Sequence, residues 1–117
     1  MTRQSGSLLM ITGVECAKGK EKEFNDWYNY NFPPVLMKVP GVVRVDRYER
    51  VEDDERLPRF LNIVQLENDA AMEMMGKNEA VLEVGRLFFA EGAKWDTQMR
   101  WAIRYKRIYT TEAEDAK

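Results

Sequence analysis

A chain of 117 residues with 44% hydrophobic and 32% charged residues is sized and balanced for one folded domain. Its formal net charge of −2, with the signs closely mixed, leaves no broad basic surface for a phosphate backbone, and no apolar run reaches the ~18 residues of a membrane span. Neither nucleic acid nor a membrane is expected as a partner. The chain has no His at all, which removes Ser-His-Asp and Cys-His nucleophiles, His-ligated zinc and haem held by a proximal His.

Residues 1–7 carry no periodic apolar signal and are expected to be flexible, and they lack the charged-then-apolar order of a signal peptide. Together with a single Cys16, which cannot form an intramolecular disulfide, this predicts a cytoplasmic protein. With no His to activate it, Cys16 is read as structural. Leu8 to Val14 is almost continuously apolar and predicts a strand buried on both faces. Ala17-Lys18-Gly19 makes a turn into a helix on which Phe24, Trp27, Tyr28 and Asn31 share one stripe. Pro33 and Pro34 are expected to end that helix at about Asn31, and Pro40-Gly41 resets the chain direction.

From Val42 the period becomes two, with Val43 and Val45 facing helices and Arg44, Asp46 and Tyr48 on the other face. The charged run Glu52 to Arg56 reads as a solvated loop. Arg59 to Glu67 is a third strand, with Leu61 and Ile63 on one face and Phe60, Asn62 and Val64 on the other. Asn68 or Asp69 caps a second helical region that Gly76 divides, its later piece running from about Glu79 to Ala90. Gln98 to Tyr109 is the last strand, where Met99, Trp101, Ile103 and Tyr105 alternate with Arg100, Ala102, Arg104 and Lys106. Residues 110–117 form an acidic tail, so the single domain is expected over residues 8–109.

Strand, helix, strand, strand, helix, strand is the ferredoxin-like order: an α+β fold whose antiparallel sheet carries its helices on one face. The other face would expose Tyr48, Phe60, Trp101 and Tyr105, and two such sheets packed together would cover them, which predicts a homodimer.

Glu23-Phe24-Asn25-Asp26-Trp27-Tyr28, Pro34, Val39-Pro40-Gly41-Val42, and Arg44 with Arg47-Tyr48 resemble the dimeric α/β barrel superfamily and, within it, the EthD-like group. The resemblance spans roughly Leu8 to Tyr109 and implies a barrel of two ferredoxin-like sheets. It implies no one activity, since the superfamily holds oxygenases, cyclases, isomerases, dehalogenating and haem enzymes. Phe32 stands where that group usually carries a His, and a phenyl ring cannot move a proton.

The expected ligand site gathers Tyr28, Asn31 and Phe32 from the helix, Arg44 and Tyr48 from the second strand, Asn62 from the third, and Trp101 and Tyr105 from the fourth. Aromatic walls with a few polar groups suit a small apolar or aromatic ligand. Asp46 and Tyr48 are the candidate catalytic groups, with Arg44 as counter-ion, although Arg44 and Asp46 are also spaced to pair with each other. The acidic residues show no metal-ligand spacing, so neither a metal nor a protein-ligated cofactor is expected. Two functions follow: a cofactor-independent enzyme acting on a small oxygenated or aromatic metabolite, or a non-catalytic homodimer that binds such a compound or assists a partner enzyme.

Overall fold

The computed structural model of the protein describes residues 7–113. In chain order it contains β1 (Leu8–Glu15), α1 (Glu21–Leu36), β2 (Val42–Glu49), β3 (Phe60–Leu66), α2 (Asp69–Lys77), α3 (Glu79–Gly92), a 3-10 turn (Ala93–Trp95) and β4 (Gln98–Lys106). All strand pairs are antiparallel, in the order β2-β3-β1-β4. This is the ferredoxin-like fold, as the order of elements predicts. Of the expected flexible start only Ser7 is described, and of the expected tail residues 110–113, which are exposed and irregular. The remainder of both lies outside the described residues.

Helix α1 does not stop at Asn31 but continues through Pro33 and Pro34 to Leu36. Each proline forfeits the bond to the carbonyl four residues back, here those of Asn29 and Tyr30, and both residues are exposed, so water can take the place of the missing donors. Past the prolines Met37 N–H donates to the Pro33 carbonyl at 2.9 Å, and Lys38 and Val39 close tighter turns on Val35 and Leu36. Gly41 follows at φ +90°, and a Cβ there would fall 2.3 Å from that of Ala71, so the turn needs glycine for both conformation and closeness.

The second helical region divides at Asn78 and not at Gly76, which lies inside α2. Asn78 has the extended conformation of an N-cap, and its side chain accepts from Val81 N–H at 3.1 Å; Asn68 caps α2 in the same way through Ala71 N–H at 3.0 Å.

Phe60, Asn62, Val64 and Leu66 point from β3 toward the helices and are all buried. On that side the core has two parts. One gathers Val14, Cys16, Phe24, Tyr28, Phe60, Phe88 and Trp95. The other gathers Leu36, Val39, Val64, Leu66, Ala71, Met72 and Met75, and Phe32 packs against both. The opposite face of the sheet carries no helix. Leu9, Ile11, Leu61, Ile63 and Ile103 are half-buried there, so β1 is covered on one face only within the single chain. Residue 60 is corrected from the expected exposed set, because alternation on β3 puts it with the core.

Candidate functional site

The seam between the two core clusters holds a cavity of about 190 Å³ whose wall is largely apolar, including Met10, Phe32, Leu36, Val64, Met75 and Val81. Its polar groups collect at one end: Tyr28 from α1, Thr12 from β1 and Asn62 from β3. Gly76 and Leu82, both exposed, mark its mouth where the chain breaks between α2 and α3. Phe32 lies nearly parallel on Tyr28, ring centroids 4.6 Å apart, and meets Phe88 edge-on at 6.1 Å.

Behind the polar end stands Arg47. Its Nε donates to Asn62 Oδ1 at 2.6 Å, and one terminal nitrogen donates to Asn25 Oδ1 at 2.8 Å and Asn29 Oδ1 at 3.0 Å. The guanidinium carbon sits 4.3 Å from the centroid of Tyr28, within the range of a cation–π contact. The other terminal nitrogen is buried with no hydrogen-bond acceptor among the described residues. Among the described residues no carboxylate pairs with Arg47, whose recorded partners are amide oxygens and aromatic faces.

This arrangement fixes the Asn62 amide. An arginine donates only, so Oδ1 must face Arg47 and Nδ2 must face the other way, where it donates to Thr12 Oγ1 at 3.1 Å. Asn62 is 3% exposed and would be costly there without these partners. Burial pushes the Tyr28 pKa up, while the charge of Arg47 and the nearby Asn62 amide pull against it. The Tyr28 hydroxyl therefore stays protonated at neutral pH and acts as a donor, not as a base. Burial also raises the Cys16 pKa, so the free thiol is held away from thiolate character.

The sheet separates the residues expected to form one site. Tyr28, Phe32 and Asn62 do meet, on the helix side. Asn31 is not with them, because its amide donates to the Trp27 carbonyl at 2.7 Å along its own helix. Arg44, Asp46 and Tyr48 stand opposite Gln65, Ile63 and Leu61 on the open face, and Trp101 and Tyr105 share that face through β1. Arg44 Nε and Asp46 Oδ2 pair at 2.7 Å, so each is engaged by the other. Tyr48 and Trp101 flank a second depression of about 210 Å³ with Leu57, Pro58 and Leu61. Tyr105 lies further along, beside Leu9 and Gln65. Met99 is out of phase with Trp101: the register slips between Gly13 and Val14, and Met99 comes opposite Val14.

Sequence reasoning missed Thr12, the mouth at Gly76 and Leu82, and the role of Arg47. The register slips between Val42 and Arg44, so Val42 and not the expected Val43 joins Val45 in the core; Arg47 was still readable, because alternation from Val45 carries it to the helix side, where a charge is anomalous. Among the described residues no group of three His, Cys, Asp or Glu side chains could hold a metal ion, and no helix is long and apolar enough to cross a membrane.

No protein-family model matches the chain, and no curated protein matches it in sequence. Its fold matches an EthD family protein from Bacillus halodurans at a TM-score of 0.64 and 9% identity, over 86% of this chain and 99% of that one. SnoaB, a cofactor-independent oxygenase from Streptomyces nogalater, matches at 0.63 and 13% identity, over 89% and 96%. A dimeric protein of unknown function and ferredoxin-like fold from Bacteroides fragilis matches at 0.64 and 6% identity, over 92% and 100%. At these identities the likeness is one of fold, and the fold is the ferredoxin-like one that the resemblance to the dimeric α/β barrel superfamily implies.

Proposed function

We propose that the protein is a cytoplasmic homodimer whose helix–sheet cavity takes a small, mostly apolar oxygenated or aromatic metabolite, and that it acts on this compound as a cofactor-independent enzyme. The observation that carries the reading is the cavity itself: about 190 Å³ of apolar space ending in Tyr28, Thr12 and Asn62, with an arginine behind them. A cavity of roughly 150 Å³ holds a benzene ring, so one substituted ring is the right scale. A protonated phenol supported by an amide and a cation is suited to stabilising negative charge that develops on a ligand oxygen. No carboxylate or His lines the cavity to serve as a strong base, so the substrate must bring much of its own reactivity. That SnoaB is described as a cofactor-independent oxygenase supports this class of chemistry on this fold.

Dimerisation through the open sheet face is supported by its composition. Tyr48 is 54%, Trp101 36% and Tyr105 55% exposed, beside a row of half-buried aliphatic side chains. Covering such a patch is favourable and gives the two-fold barrel its closure.

The second reading is binding without catalysis, and Phe32 favours it, since it stacks on Tyr28 where the resemblance places a proton-handling His. Either way the cavity is the site. Protein equilibrated with a metabolite extract, washed and then denatured should release a retained compound detectable by mass spectrometry. Gly76→Trp should abolish retention, because a side chain at that position starts in open space at the mouth. Equal retention by the blocked variant would contradict the assignment.

A further inference from the structure

The hydrogen-bonding capacity at the polar end of the cavity is unbalanced. Asn62 has its oxygen taken by Arg47 and one amide hydrogen given to Thr12, so what it has left to offer this end is its second amide hydrogen. The Thr12 hydroxyl therefore already accepts from Asn62. The Tyr28 hydroxyl stands at the same end of the wall as a further donor. Arg47 adds positive potential behind this end, and nothing acidic lines the cavity to offset it.

From this imbalance we propose that the ligand presents an acceptor oxygen, a carbonyl on a small ring or chain, to the Tyr28 hydroxyl, and that Arg47 is the positioning residue that sets this preference through Asn62. The inference rests on the cavity reading and names the class of compound within it. A cationic ligand is rejected, because it would bring a second positive charge into the same low-dielectric space. A hydrocarbon of equal size enters but gains nothing from Tyr28. Arg47 itself does not line the cavity; it acts by locking the Asn62 amide so that its hydrogens, and not its oxygen, face Thr12 and the polar end.

Three single-ring probes separate the possibilities: acetophenone, ethylbenzene and protonated benzylamine, each titrated against the wild type and Tyr28→Phe. Acetophenone should lose about tenfold in affinity on Tyr28→Phe, the effect of one hydrogen bond, while ethylbenzene should be unchanged and benzylamine should not bind. The infrared carbonyl stretch of bound acetophenone should be lowered in the wild type, less so in Arg47→Met, and least in Tyr28→Phe. Binding of ethylbenzene with an acetophenone affinity indifferent to Tyr28→Phe, or an unshifted carbonyl stretch in the wild type, overturns the acceptor proposal and leaves the cavity standing. Failure of ethylbenzene and acetophenone alike to bind the wild type overturns the cavity reading and this inference with it.

Discussion

Replacing Asn62 by Leu keeps the volume of the side chain on β3 and removes its polar atoms. The bond from Arg47 Nε is short, at 2.6 Å, and charge-assisted, a kind that contributes about 1.5–3 kcal/mol. The bond to Thr12 Oγ1 at 3.1 Å is neutral and adds about 0.5–1.5 kcal/mol. The substitution also leaves Arg47 with a second unpaired nitrogen beside the core. Asn62→Leu should therefore lower stability by about 2–4 kcal/mol, a large part of the ~5–15 kcal/mol of a typical domain. Arg47→Met should cost about 1–3 kcal/mol, because it leaves the buried Asn62 oxygen without its donor. The double substitution removes the cation and its acceptor together, and its desolvation burden with them, so it should cost well below the sum, with a coupling of at least about 1.5 kcal/mol. Urea unfolding at one fixed protein concentration measures all four corners of the cycle. Strictly additive losses would show that Arg47 and Asn62 do not act as a unit, and the polar end of the cavity would then lack the support ascribed to it.

Gly41→Ala should lower stability by about 1–3 kcal/mol, read as a lower denaturant midpoint, since the position combines φ +90° with a 2.3 Å approach to Ala71; Gly76→Ala, with open space at its Cβ, should not. Asn78→Ala removes the cap of α3 and should cost about 1 kcal/mol in the same assay. Because burial raises the folded pKa of Tyr28 above its unfolded value of about 10, the stability it contributes is complete below that pH and is lost as the pH rises toward the folded value. Denaturant midpoints above about pH 10 should thus fall more steeply in the wild type than in Tyr28→Phe. Trp101→Glu places a charge on the open sheet face and should shift sedimentation from dimer to monomer; an unchanged dimer would mean that another surface joins the subunits.

The fold was legible because its determinants are local. Period two in β2 and β3, the stripe on α1 and the Asn68 cap of α2 each state their element without reference to the rest. The double proline misled, because its usual cost falls here on two exposed residues, Asn29 and Tyr30, while tertiary packing of Leu36 and Val39 carries the helix onward. The site was half legible. Asn62 stands out as an amide on an apolar strand, Tyr28 belongs to the aromatic stripe of α1 and Phe32 takes the place of the His of the resembled group; the three do converge. Arg44, Asp46, Tyr48, Trp101 and Tyr105 do share one side by alternation, as expected, but it is the open face of the sheet and not the side on which Tyr28, Phe32 and Asn62 meet. The cavity mouth could not be read at all, since it depends on how α2 and α3 are set about Asn78, a tertiary relation that no periodicity encodes.

The central claim is that a small ligand occupies the seam between helices and sheet, and the methionines are placed to report on it. Met10 and Met75 line the cavity, whereas Met99 lies on exposed β4 and Met37 just beyond α1. With methyl-labelled methionine, a titration with acetophenone followed by NMR should move the Met10 and Met75 signals along saturable curves sharing one dissociation constant, and leave Met37 and Met99 in place. Movement of Met99 with Met10 and Met75 unmoved would put the ligand elsewhere and contradict the account.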